Sequence, residues 1–246
     1  MLKQEIKGAV AILSIDRPER RNAMSLGLAG AIAKVLDELN KDDNVKAIIL
    51  RGAEHGFCAG SDLKELSNFT LEQIAEAERE KATVARSINF LDTPVIAAVD
   101  GFAMGGGLVY AISCDVVFTA RDAVWHLPEV ELGWNPGWGV RMLLSRVGPV
   151  AARHICWGVD RIDGVEATRL GLADFLADED AASAALAYAE KLATFPHHAV
   201  VATKRLCAPI AGKNGQVLDL MANRLFAESC DHETARASYR RFGVNV

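Results

Sequence analysis

The sequence predicts an α/β domain with largely parallel strand pairing, followed by a helical C-terminal region. Three observations carry that expectation. Short apolar runs rich in Val and Ile alternate with amphipathic or Ala-rich stretches through the first half of the chain. The strand signal fades after Pro149. Beyond about Thr194 the pattern is helical, which divides the chain into a core at 1–193 and a helical region at 194–246.

The elements follow in order. Gly8–Ile15 reads as a strand closed by Asp16-Arg-Pro18. Ser25 is placed to cap a helix whose apolar stripe is Ile32, Val35, Leu36 and Leu39. Val45–Leu50 is a buried strand ending at Arg51-Gly52, and Leu71–Leu91 is a charged, Ala-rich helix. Pro94–Val99 is a second buried strand; a short helix starts at the glycine triplet 105–107, and Asp115–Thr119 resumes strand. Pro136-Gly137 opens a helix through Arg141, Leu144 and Val147. Ala181–Leu192, Ala199–Ala211 and Val217–Phe242 read as helices punctuated by Pro196 and Pro209. Leu206, Leu218, Met221, Leu225 and Phe226 then need burial, on the core or on a neighbouring subunit.

Bulk properties narrow the function. The 246 residues can bury a substantial core; half are hydrophobic and 24% charged, as in a soluble globular protein. A net charge of −5 without a basic block argues against nucleic-acid binding. The charged N-terminus and the absence of a long apolar run predict neither signal peptide nor membrane span. Five scattered cysteines without CxxC or metal-ligand spacing predict buried free thiols, no metal, and a reducing, cytoplasmic setting. The Asn68-Phe-Thr70 sequon is then coincidental.

Three segments carry the chemistry: Phe57-Cys-Ala-Gly-Ser-Asp-Leu63, Gly101-Phe-Ala-Met-Gly-Gly-Gly107, and the Trp-rich run from Trp125 to Gly139 that contains Pro128-Glu129. Gly60-Ser61 can present a backbone N–H donor or can be a turn that needs a glycine. The glycine triplet offers helix-start amides or close packing of helix on strand, and its spacing is not that of a dinucleotide fingerprint. Glu129 sits among Trp125, Leu127, Val130, Leu132, Trp134 and Trp138, where desolvation would raise its proton affinity. Residue chemistry alone leaves Glu129 and Glu131 equal candidates. His126 and His197-His198 read as structural, and Arg20-Arg21 meets phosphates or lies on the surface.

Taken together, the order of these segments resembles the crotonase family, the enoyl-CoA hydratase/isomerase superfamily. The similarity runs from Asp16-Arg-Pro18 and Asn22-Ala-Met24 through Phe57–Leu63, Pro94–Asp115 and Pro128–Gly139 to Gly164–Ala167 and Gly171-Leu172. The resemblance implies a spiral of ββα units with a C-terminal helical region that builds homotrimers or hexamers. It implies an acyl-CoA thioester as substrate, with no separate cofactor. By the same resemblance Ser61 and Gly106 supply the two oxyanion-hole amides and Glu129 moves the proton. Ala59, Asp62, Leu63 and Lys64 belong to the CoA-contacting loop and Arg20 lies near the CoA phosphates; Val109, and Gly137 at a helix start able to polarise the acyl group or position water, complete the expected substrate-binding set.

One position departs from the hydratase pattern. Val109 stands where hydratases carry their first glutamate, and a neighbouring Tyr110 would face about 100° away on a helix. With Glu129 as sole proton carrier, the expectation is an enoyl-CoA isomerase. The alternatives are a hydratase or hydratase-lyase using one glutamate, a CoA-ester hydrolase or decarboxylase, and a non-catalytic acyl-CoA-binding subunit.

Overall fold

The computed structural model describes the backbone of residues 1–212, 215–231, 233–241 and 243. The chain opens with a hairpin, β1 (Leu2–Lys7) and β2 (Val10–Ile15), and then α1 (Leu26–Asn40). Next come β3 (Ala47–Gly52), the single turn α2 (Leu63–Leu66) and α3 (Leu71–Ser87). The third unit is β4 (Val95–Val99), β5 (Phe102–Met104) and α4 (Gly106–Ser113); the fourth is β6 (Val116–Thr119), β7 (Val124–His126) and α5 (Val140–Trp157). The remainder is α6 (Gly164–Leu170), β8 (Phe175–Leu176), α7 (Ala181–Ala193), α8 (His197–Gly212), α9 (Gly215–Cys230) and α10 (Glu233–Arg241).

The main sheet has the order β1-β2-β3-β4-β6-β8. Only β1 is antiparallel; Val10 pairs with Ala47, Ile48 with Val95, Ile96 with Val116 and Phe118 with Phe175 along parallel ladders. β2 and β4 are buried at every position, as strands covered on both faces must be. One face packs against α1, α3 and α4; the other takes Ala181, Ala185 and Ala189, whose small side chains let α7 approach closely.

A second, smaller sheet positions the site. β5 pairs in parallel with β7, with Ala103 opposite Trp125, and an isolated bridge joins Cys58 to Ala103. The three motif segments are therefore neighbouring rungs of one ladder. Ser61 and Gly106 each lie three residues past their rung residues Cys58 and Ala103, and Glu129 lies four past Trp125. Regular spacing beyond a common ladder delivers all three to one end of it.

Several sequence expectations need correction. The Leu2–Lys7 strand was missed because it is an exposed edge strand with charges at Lys3, Glu5 and Lys7. β5 and β7 were also missed, being too short to show alternation. α3 ends at Ser87 and continues only as a 3-10 turn at Ile88–Phe90. α5 starts at Val140 rather than at Pro136-Gly137, and Gly148, at φ 71°, breaks it before Pro149. The predicted Val217–Phe242 helix is two helices that pack on one another. Phe226 is buried; Leu206, Met221 and Leu225 are exposed, and the Leu218 side chain lies outside the described residues. All five thiols are free, but Cys207 is exposed and Cys156 half-buried. No helix among the described residues is long and apolar enough to cross a membrane.

Candidate active site

The first loop is shaped by Gly60. Its backbone has φ 91°, and an added Cβ would stand 3.0 Å from the Met104 carbonyl and 3.4 Å from the Gly106 nitrogen. Only a residue without a side chain lets the two motif loops approach this closely. Met24 N donates to Gly60 O, and Asp62 N donates to Met24 O, so the chain either side of Ser61 is tied to Met24. Among the described residues, the Ser61 N–H has no acceptor.

The second donor comes from the start of α4. Gly105 donates its N–H to the His126 carbonyl and, at φ 51°, turns the chain into the helix. Gly106 is the first helical residue, so its N–H has no intrahelical acceptor, and none is found elsewhere among the described residues. The short ladder and the helix start thus leave two amide donors on adjacent loops.

Glu129 completes the group. Leu132 and Trp134 donate to backbone carbonyls of Pro128 and Glu129, forming a tight turn just past β7. That turn separates the two candidate glutamates. Glu131 points outward, its side chain 73% exposed, with Oε2 3.9 Å from His126 Nε2. Glu129 points inward: its Oε2 is shielded from solvent and has no hydrogen-bond partner, while Oε1 lies 3.1 Å from where a Cβ on Gly105 would be. Burial pushes the Glu129 carboxyl up to about 7; its own backbone N–H opposes this, and the charge of Glu78 adds to it.

These groups line one cavity together with Ala59, Leu63, Val109 and Gly137, all anticipated from the sequence. The other anticipated residues lie outside it. Asp62 is buried as the N-cap of α2, accepts from Lys64 and Glu65 amides, and pairs with Arg17 at 2.8 Å. Its side chain is committed to the loop and not to the cavity. Lys64 is exposed and Arg20 half-buried, both outside the cavity lining. Arg21 stacks over the Phe102 ring at 4.7 Å. His126 is buried at the end of β7, with Nδ1 unpartnered.

The cavity also contains residues that sequence reasoning missed. Glu78 of α3 lines it, and Lys81 one turn on is fully buried. Both lie on the helical face that includes Ile74, Ala77 and Ala85, so a helical projection would have flagged charges on an apolar stripe. Burial pushes the Glu78 carboxyl up, but the Lys81 ammonium and the Ser61 and Trp138 donors outweigh that and hold it below its ordinary value. Phe226 of α9 and Tyr239 of α10 close the far wall, with Tyr239 stacked on Trp134 at 4.8 Å. Among the described residues no group of three or more His, Cys, Asp or Glu side chains could hold a metal ion.

Two free amides facing a cavity with a desolvated carboxylate can hold an oxyanion while a proton moves. Comparison with known proteins identifies the family. The enoyl-CoA hydratase/isomerase family profile matches residues 5–243. A methylglutaconyl-CoA hydratase of Mus musculus is 33% identical over 247 residues, covering 99% of this chain and 78% of that protein. A short-chain-enoyl-CoA hydratase of Clostridium acetobutylicum is 38% identical over 170 residues, 68% of this chain and 65% of that one. The crystal structure of an enoyl-CoA hydratase/isomerase from Xanthobacter autotrophicus Py2 superposes with a TM-score of 0.89 at 28% identity, covering 99% of this chain and 94% of that one. One from Mycobacterium paratuberculosis gives 0.88 at 27%, covering 98% and 97%. The chain belongs to the enoyl-CoA hydratase/isomerase family, with the crotonase fold.

Proposed function

We propose that this enzyme shifts the double bond of a 3-enoyl-CoA to the 2-position, with Glu129 as the single proton carrier. The Ser61 and Gly106 amides bind the thioester oxygen. Ionised Glu129 takes the proton from C2, the electron pair delocalises into a dienolate held by the two amides, and the same carboxyl returns the proton at C4. The observation that carries the reading is the unpartnered, shielded Glu129 Oε2 in the cavity lined by Ser61 and Gly106, with apolar Val109 on the α4 wall. A carboxyl balanced near neutrality can both accept and return a proton.

Hydration is the second reading, favoured by the relatives named as hydratases. In it Glu129 alone would handle the water. In either case the loop from Ala59 to Lys64 receives the CoA moiety: Ala59 and Leu63 line the cavity, Asp62 braces the loop, and the exposed Lys64 and nearby Arg20 supply positive charge for phosphates. We further propose self-association into trimers or hexamers, consistent with the exposed row Val217, Leu220, Met221 and Leu225 on α9.

Glu129→Gln tests the assignment. Turnover of enoyl-CoA esters should fall by at least about a thousandfold while CoA-ester binding survives, since proton transfer and not binding is removed. Unchanged turnover rejects Glu129 as the proton carrier. A panel of 2- and 3-enoyl-CoA esters followed by mass spectrometry separates the two reactions: brisk hydration of crotonyl-CoA by the wild type would displace isomerisation as the main activity.

A further inference from the structure

Helix α3 carries a buried ion pair that the proton transfer described above does not use. Lys81 Nζ lies 2.9 Å from Glu78 Oε1 and 3.0 Å from Ser61 Oγ. The Ser61 hydroxyl donates to the same Glu78 oxygen over 2.6 Å. The other oxygen, Oε2, accepts from the Trp138 indole N–H at 2.8 Å. Trp138 in turn lies edge-on to Gly106, where an added Cβ would be 2.9 Å from ring atom Cζ2. One carboxylate therefore grips the residue that bears one free amide and the ring that backs the residue bearing the other.

Helix packing does not require this arrangement. A buried ion pair contributes little to stability compared with apolar side chains of similar volume. The contacts of this pair converge instead on both sides of the amide cradle, and Glu78 itself lines the cavity. Donors of an oxyanion hole act through their placement before reaction, and displacements of about 1 Å weaken them severely. A bare carboxylate at this position would also oppose an anion forming beside it. The Lys81 ammonium, in contact with both Glu78 and Ser61, offsets that charge.

We infer that Glu78 and Lys81 are positioning residues that set the spacing of the Ser61 and Gly106 amides and keep the cradle electrically fit for an enolate. The inference rests on the cradle assigned in the proposed function, but not on which reaction follows or on Glu129.

The test uses the full-length protein and two CoA esters, acetoacetyl-CoA, whose bound enolate is followed by its near-ultraviolet absorbance, and butyryl-CoA, which stays neutral. The variants are Glu78→Gln and the double variant Glu78→Gln/Lys81→Met, which leaves no lone buried charge and so protects folding. Glutamine carries no charge and one acceptor oxygen, so the Ser61 hydroxyl and the Trp138 indole are no longer both held by a charged acceptor. Enolate affinity should fall by about tenfold or more in the double variant, whose local net charge is that of the wild type, while butyryl-CoA affinity changes less than about twofold. In Glu78→Gln, which keeps Lys81, the pH at which turnover rises should move down, because the charge that hinders ionisation of Glu129 is gone. A folded double variant that binds the enolate as tightly as wild type, relative to butyryl-CoA, overturns the inference. This ratio is read from binding and not from turnover, so failure of the proton-carrier assignment is read separately; wild type that binds neither ester overturns the cradle and this inference together.

Discussion

At the scale of the residue, the chemistry comes down to the surroundings of one carboxyl. Glu129 and Glu131 are two positions apart, yet the turn after β7 sends one into the cavity and the other to solvent. The inward one pays a desolvation cost when ionised, with a measurable consequence for stability. Its folded value, about 7, lies above the ordinary carboxyl value of 4.5. Between those limits the folded chain retains a proton that the unfolded chain releases, so this group lowers stability as pH rises from about 4.5 to 7. Glu129→Gln should therefore stabilise the protein at pH 8 by about 2 kcal/mol, after discounting for partial solvent access, and hardly at all at pH 4.5. Denaturant titrations at the two pH values check this; equal effects at both would mean that the carboxyl is not desolvated. The proton-carrier role predicts in parallel that activity rises through about pH 7, as the carboxyl ionises.

The element that matters most is the start of α4. Gly105 turns the chain at φ 51°, and a side chain there would meet Glu129 Oε1 at 3.1 Å. Gly105→Ala therefore combines a positive-φ backbone strain of about 1–3 kcal/mol with displacement of the carboxylate. The expected outcome is a modest drop in thermal midpoint with a fall in kcat of about a hundredfold, while KM changes little. Kinetics and a thermal melt on the same preparation check both. A variant that loses stability but keeps kcat would show that Glu129 tolerates displacement. On the opposite wall, α3 shows how an element can hide a site: its outer face is an ordinary solvated run of Glu and Arg, and the two charges that matter lie on its apolar face.

Across the whole molecule, the C-terminal helices fold back over the cavity of their own chain. α9 packs on α3 and α5, and Arg86 and the Gly139 N–H both bond to Asp219, fastening the Trp-rich loop to α9. Phe226 sits 3.4 Å from where a Gly137 side chain would begin and makes an edge contact with Trp134. Under the proposed function, this aromatic wall would limit the length of the acyl group. Phe226→Ala should cost about 3–4 kcal/mol in stability and shift the preferred substrate toward longer acyl chains. A chain-length series of enoyl-CoA esters checks the shift; an unchanged profile would place the acyl end elsewhere.

The extent to which the site was legible before any coordinates follows from the range of the interactions involved. Parallel strands such as Val95–Val99 announce themselves because burial on both faces demands an unbroken apolar run, and Ser25 announces a helix because its hydroxyl caps an amide three residues on. The motif loops were legible for a similar reason: glycines at 60 and 105 are dictated locally by backbone angles that other residues resist. The choice between Glu129 and Glu131 was not local, since it depends on a turn held by backbone bonds from Leu132 and Trp134. Still less so was the grip of Glu78 on Ser61 and Trp138, residues 17 and 60 positions away. Chain order carries no record of such distances. They exist only after the sheet and helices have packed and desolvation has made each buried charge depend on the neighbours it finds there.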